Sequence, residues 1–486
     1  MGLKMRLSIL LSGILVASSV NAAPNSYLPN KPTIHLQNGT LVGVHNPDFN
    51  QDFFLGVPFA QPPIGDLRFA KPAPPVAWTG VKTATEYGPS CIGNSLGLAG
   101  FSQNTTSVMS EDCLHINIAR PTGISKHSKL PVLAWIHGGA WMEGSANELR
   151  YNGSFLVQAS VQMNSPIIFV SFNYRLGIFG TLAGPVLEKA GLTNLLLHDQ
   201  RQALAWVQDN IAQFGGDPSH VTLMGESAGA GSIGFQLLAH GGRDDGIFHA
   251  AIAGSGGPFS VYSFRNSSQR KSDFDTVLDA TGCAKAADSL ACLREAPAES
   301  LRKASLQFLR VPLLIGINRN EVPSFLNTAL SGPFVTDEDF IKFVRASIGD
   351  YEVPDHVLKI WLQEYQEEAA SSSPAGLGTV LADPGPECGP GYGRRYANQV
   401  WAKHHVPSYS YFFDVAPASL NATTIGATHA QELPFVFGNS NAAGWDLDPF
   451  PKDVGLIEKY LDLVEVMSRM WISFAVNKTP NLHKDA

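Results

Sequence analysis

Chemistry concentrates in residues 214–229, FGGDPSHVTLMGESAG. Gly225-Glu226-Ser227-Ala228-Gly229 sets a serine among small residues, after the apolar run 221–224 and before an Ala- and Leu-rich run over 228–239. Strand, sharp turn and helix in that order hold a serine hydroxyl exposed at the apex of a strained turn. The amides at the helix start favour negative charge developing beside it. A second match, Gly93-Asn94-Ser95-Leu96-Gly97, follows no strand, opens no helix and reads as a loop. Ser227, not Ser95, is therefore the expected nucleophile.

A serine hydroxyl attacks poorly at neutral pH unless a histidine, itself oriented by a carboxylate, takes its proton. Five histidines lie past the mid-chain strand: His356, His404, His405, His429 and His483. His356 sits in a charged helical segment, His404 and His405 precede a strand, and His483 is in a polar tail. His429 lies in the small-residue loop 426–430 after an expected strand at 409–413 and is the best base. For the acid, Glu321 follows directly on the expected strand 311–317, where catalytic groups of parallel sheets stand. Asp337, Glu338 and Asp339 compete, but read as the first turn of a helix. Oxyanion stabilisation needs fixed N–H donors. The amide of Ala228, next after the serine, is one. Ile136-His137-Gly138-Gly139-Ala140-Trp141, directly after the expected strand 130–136, is a loop that supplies others.

Positioning these groups is the task of a large α/β fold. Apolar runs bounded by turns read as buried strands at 130–136, 167–173, 221–224, 311–317 and 409–413. Helical patterns alternate with them; over 199–214, Leu204, Val207 and Ile211 recur at helical spacing. This alternation predicts a central, mostly parallel sheet with helices on both faces. The Pro/Gly-rich stretch 371–394 reads as a surface excursion. No internal repeat breaks the chain, so residues 23–486 are expected to form a single domain.

Residues 1–22 have the layout of a signal peptide: Lys4 and Arg6, an apolar run over 7–20, and small residues around Ala22 and Ala23. That run is short for a membrane span and no other window is long enough, so the mature protein is expected outside the cell without a transmembrane anchor. In an oxidising compartment the five cysteines suggest close pairs, Cys91–Cys113 and Cys283–Cys292, with Cys388 left over. Six glycosylation sequons fit that route: Asn38, Asn104, Asn152, Asn266, Asn421 and Asn477. The formal net charge of −8 offers no basic footprint for nucleic acid.

Taken together, these blocks resemble the type-B carboxylesterases and lipases, the cholinesterase-like branch of the α/β-hydrolase fold. The serine segment fits that family's signature at every fixed position. EDCLHINIARP (111–121) fits its second signature, except that His115 stands where tyrosine or threonine is usual. FFLGVPFAQPPIGDLRFAKP, VSFNYRLGIFG, LLLHDQRQALAWVQDNIAQFGGDP and GATHAQELPFVFG also match, in order, and the HDQ and Gly-Gly-Ala forms look most like the secreted fungal lipases and esterases. The resemblance implies Ser227 as nucleophile, Glu321 as triad acid and His429 as base, with Gly139, Ala140 and Ala228 as oxyanion donors and the same two disulfides. Glu321 is followed by Val322-Pro323 where the family has glycine. In the family the first disulfide loop forms a flap over the gorge. Here it holds Leu96, Leu98, Phe101, Val108 and Met109 but no tryptophan to grip a quaternary ammonium. The implied activity is hydrolysis of small-molecule or lipid esters, with transient contact to a lipid interface and no metal or cofactor. The alternative is a catalytically weak or inactive adhesion or binding protein on the same fold.

Overall fold

Strand Leu130–Ile136 shows how the chain builds its core. Val132, Ala134 and Ile136 belong to one apolar cluster, whereas Leu133 and Trp135 belong to another. Successive side chains of a strand point to opposite faces, so this strand is buried on both sides. Ile168, Val170 and Phe172 against Phe169, and Val221 and Leu223 against Met224, repeat the division on two further strands. The computed structural model describes residues 31–95, 108–243, 245–257, 266–305, 402–403, 405–420 and 426–483.

Twelve described strands run β1 (Thr33–Leu36), β2 (Gly39–Val42), β3 (Val44–Asn46), β4 (Gln51–Pro58), β5 (Val81–Thr83), β6 (Ser90–Cys91), β7 (Met109–Ser110), β8 (His115–Pro121), β9 (Leu130–Ile136), β10 (Ile168–Phe172), β11 (Gly216–Glu226) and β12 (Ala250–Gly254). Seven of them form the central sheet in the order β12-β11-β9-β10-β8-β4-β3. The pairs β12–β11, β11–β9 and β9–β10 are parallel, while β10–β8, β8–β4 and β4–β3 are antiparallel. The expected parallel arrangement thus describes the half of the sheet that carries the site; an antiparallel meander completes the other half.

Helices cover both faces. Along the chain these are α1 (Ser154–Gln162), α2 (Gly177–Thr181), α3 (Pro185–Ala190), α4 (Leu195–Asn210) and α5 (Ala228–Gly242). Ala203, Leu204 and Val207 of α4 and Ile233 of α5 join the cluster on one face. Leu156 and Val157 of α1 join the cluster on the other, with Val464, Met467, Trp471 and Ile472 of the long helix Val454–Asn477. That helix is also tied to the sheet by polar contacts. Thr222 Oγ1 donates to Ala475 O at 3.3 Å, and His220 Nε2 lies 3.1 Å from the same carbonyl. A third apolar cluster gathers α6 (Ser267–Thr281), α7 (Ser289–Glu295) and α8 (Ala298–Ser305) beside α2 and α3.

Both expected disulfides form, Cys91–Cys113 and Cys283–Cys292. The helix expected over 199–214 begins earlier, at Leu195, and tightens into a 3-10 turn over Ile211–Phe214. After Ser227 the helical conformation breaks at Ala239, where ψ turns to 147°. Segment 409–413 is not a strand: it runs as irregular chain with one bridge position at Phe413. Its aromatic side chains are spent on packing instead, Tyr411 against Trp471 and Phe413 against Phe435. The expected strand 311–317, the excursion 371–394, Cys388 and the leader 1–22 lie outside the described residues.

Candidate active site

Strand β11 ends at Glu226 and α5 begins at Ala228, with Ser227 alone between them at φ 54° and ψ −121°. A non-glycine residue at positive φ costs of order 1–3 kcal/mol and persists only where its surroundings dictate it. Here they do. Ser227 N donates to Gly254 O at the end of β12, and Ser227 O accepts from Gly231 N in the first turn of α5, both at 2.9 Å. Glycine is required at two close approaches. A Cβ on Gly229 would stand 2.0 Å from Ile136 O, and one on Gly138 would stand 2.8 Å from Glu226 O. The end of β9 and the loop after it are thereby pressed directly onto the turn bearing the serine. The decoy Ser95 lies on exposed, irregular chain.

The loop leaving β9 keeps an uncommon backbone: Gly139, Ala140 and Trp141 have φ of 98°, 52° and 57°. Gly139 O accepts from both Met142 N (2.9 Å) and Glu143 N (3.0 Å), closing a tight turn, and Trp141 O accepts from Gly177 N at 2.7 Å. Two residues before Gly177, Arg175 is held by a buried pair with Asp199: Arg175 Nε donates to Oδ2 at 2.8 Å and Nη2 to Oδ1 at 2.7 Å. Behind the loop, His137 stacks on Tyr174 with centroids 4.3 Å apart. Tyr174 donates its hydroxyl to His137 O at 2.6 Å. Burial lowers the His137 pKa to about 4, so its ring is neutral at working pH. Burial, with the negative charges of Glu148 and Glu226, pushes the Tyr174 phenol up.

His429 is almost fully buried, at 2 % exposure, as are Ala427, Thr428 and Ala430 around it. The short helix Leu433–Val436 follows and packs its apolar residues into the core. This arrangement carries His429 to the end of β11, where its Nε2 lies 3.3 Å from Glu226 Oε1. The other carboxylate oxygen of Glu226 faces the β9 loop, 3.0 Å from where a Gly138 Cβ would stand. A buried carboxylate next to the serine therefore sits between the 138–141 loop and the histidine. Sequence reasoning treated Glu226 only as part of the serine motif. The available signal was a charged residue closing an otherwise apolar strand.

The structure brings Ser227, Ala228, the 138–141 loop and His429 to one end of the parallel half-sheet. Glu321 lies outside the described residues. Among the rejected histidines, His405 is exposed and His483 partly so. Among the described residues, no group of three or more His, Cys, Asp or Glu side chains is placed to hold a metal. Of the sequons, Asn38 donates its side-chain amide to Pro75 O at 2.8 Å, and Asn152 accepts from Ser154 N at 3.0 Å. Asn266 caps α6, and Asn477 is exposed at the end of its helix. Asn104 and Asn421 lie outside the described residues.

Known proteins match this chain along most of its length. The model of the Carboxylesterase family matches residues 30–310 and 305–486. The chain belongs to this family. Lipase 2 of Geotrichum candidum is 39% identical over 322 residues, covering 60% of this chain and 56% of its own length. Lipase 4 of Diutina rugosa is 38% identical over 369 residues, 70% of this chain and 62% of its own. The chain thus spans little more than half the length of such lipases. Fumonisin B1 esterase of Sphingopyxis macrogoltabida is 32% identical over 477 residues, 92% of this chain and 82% of its own. Among solved structures, Aspergillus niger EstA superposes with a TM-score of 0.75 at 30% identity, covering 93% of this carboxylesterase-family chain and 90% of EstA. The α/β-hydrolase architecture expected from the sequence is the one observed.

Proposed function

We propose that this protein is a secreted serine hydrolase of carboxylic esters, acting through Ser227, His429 and Glu321. The observation that carries the reading is the strained Ser227 elbow, with His429 docked against the neighbouring residue Glu226. His429 takes the Ser227 proton as Oγ bonds to the ester carbonyl carbon, and the carbonyl electron pair moves onto oxygen. The amides of Gly139, Ala140 and Ala228 hold that oxyanion. Collapse of the adduct breaks the ester C–O bond, and the departing alkoxide takes its proton from His429. Water then attacks the acyl-enzyme by the same route. Glu321 orients His429 and stabilises its charged form.

Both small-molecule and lipid esters fit this chemistry. The relatives named as lipases, and the one named for fumonisin B1, support an ester substrate of either kind. Val108 and Met109, exposed in the Cys91–Cys113 loop, are the apolar side chains that would touch a lipid surface. The leader over 1–22, the two disulfides and the sequons support an extracellular site of action. Ser227→Ala is expected to lower hydrolysis of p-nitrophenyl esters by about 10⁴-fold or more. A fluorophosphonate probe is expected to label the wild-type serine and not the variant. Undiminished turnover in Ser227→Ala would overturn the reading. A panel of esters from acetate to oleate, with and without an emulsified interface, defines the acyl range.

A further inference from the structure

The two sources of oxyanion donors are joined by a side-chain strut. Trp141, the residue after Ala140, donates its indole Nε1–H to Ser232 Oγ at 2.9 Å. Ser232 lies on α5, and its hydroxyl donates to Ala228 O at 2.8 Å. The same oxygen accepts a second bond, from Gln200 Nε2 on α4 at 3.0 Å. A hydroxyl has one proton to give and two lone pairs to receive. Ser232, fully buried, uses all three. From these contacts we infer that Trp141 and Ser232 are positioning residues for ester hydrolysis, fixing the 139–140 amides and the Ala228 amide in one mutual geometry.

The backbone gives the reason such a strut is needed. Ala140 and Trp141 are consecutive non-glycine residues at positive φ, a conformation that relaxes unless both ends are held. The Trp141 carbonyl is held by Gly177 N and its indole by Ser232. On the other side, Ser232 reaches back one helical turn to Ala228, whose N–H opens α5. Oxyanion donors stabilise a transition state only when preorganised, since their benefit depends on needing no rearrangement as charge develops. Gln200, equally buried, ties this junction to α4 and so to the body of the fold. The inference rests on the proposed ester hydrolysis at Ser227 and adds to it the means by which two separate segments act as one hole.

Trp141→Phe keeps an aromatic ring and removes only the N–H. Its kcat is expected to fall about tenfold to a hundredfold with KM unchanged, less than the loss from deleting a donor outright. Affinity for a trifluoromethyl ketone, whose serine adduct places an oxyanion in the hole, is expected to fall by the same factor. Ser232→Ala should lose at least as much, since it also removes the bonds to Ala228 and Gln200, and the double variant should lose no more than Ser232→Ala, because the Trp141–Ser232 bond is already absent there. A generally loosened fold would instead raise KM or lower the fraction of sites titrated by fluorophosphonate. Should Trp141→Phe not yield folded protein, Ser232→Ala is read in the same assays. A kcat within twofold of wild type in either folded variant, or losses that multiply in the double variant, would overturn the strut. Ser227→Ala distinguishes the two readings: an inactive Ser227→Ala beside an unimpaired Trp141→Phe sinks the strut alone, whereas an active Ser227→Ala sinks the catalytic reading beneath it.

Discussion

At the scale of single residues, Glu226 is the group whose role the structure changed most. Its carboxylate lies within 3.3 Å of His429 Nε2 and is itself buried. In the proposed mechanism, a carboxylate at that distance stabilises the imidazolium that forms as Ser227 attacks. Glu226→Gln removes the charge and keeps the shape. Its kcat is expected to fall about tenfold, as general-base assistance weakens. Steady-state kinetics on wild type and variant check this. Ser227 and His429 were chosen from sequence because each sits in a short run of small residues, although the strand expected before His429 is irregular chain. The Trp141–Ser232 bond was not, since the partners stand 91 residues apart and neither shows a periodicity that points to the other.

Elements, at the next scale, act by bringing backbone to backbone. Strand β9 and helix α5 meet so closely at Gly229 that no side chain fits between them. Gly229→Ala would set a methyl carbon against Ile136 O, a main-chain atom that cannot swing aside. Urea denaturation is expected to show a loss of about 3 kcal/mol or more, at the upper end for overpacking. Strands β9, β10 and β11 could be read in advance as apolar runs bounded by turns, α4 from its helical spacing and α5 from its Ala- and Leu-rich run. Segment 409–413 could not. Its aromatic run has the composition of a strand, yet Tyr411 and Phe413 turn to the Val454–Asn477 helix and to Phe435. Composition records that such side chains will be buried, and not which partner buries them.

For the whole molecule, acid is a predictable weakness. His137 binds its proton only near pH 4 when folded, against an ordinary 6.5, because burial disfavours its charged form. The unfolded chain therefore takes up this proton first as pH falls, and stability present above 6.5 is lost progressively toward 4. At roughly 1.4 kcal/mol per pH unit, the loss from this one ring is about 3 kcal/mol. Burial shifts His115, His198 and His249 in the same direction. Thermal melts from pH 7 to pH 4 should fall more steeply for wild type than for His137→Phe, which keeps a ring over Tyr174. Equal slopes would show that the ring contributes nothing to acid sensitivity.

The seam between β11 and the Val454–Asn477 helix also sets an order of events during synthesis. Thr222 and the carbonyl it reaches are 253 residues apart. At about 5–20 residues per second, that is roughly 10–50 s of translation. Throughout that interval the strand leading to Ser227 has been made, while the helix that covers Met224 and its neighbours has not. The nascent chain thus carries an uncovered apolar sheet face throughout that interval. Until this late helix docks, that face is the kind of unburied apolar surface that invites aggregation and that chaperones cover.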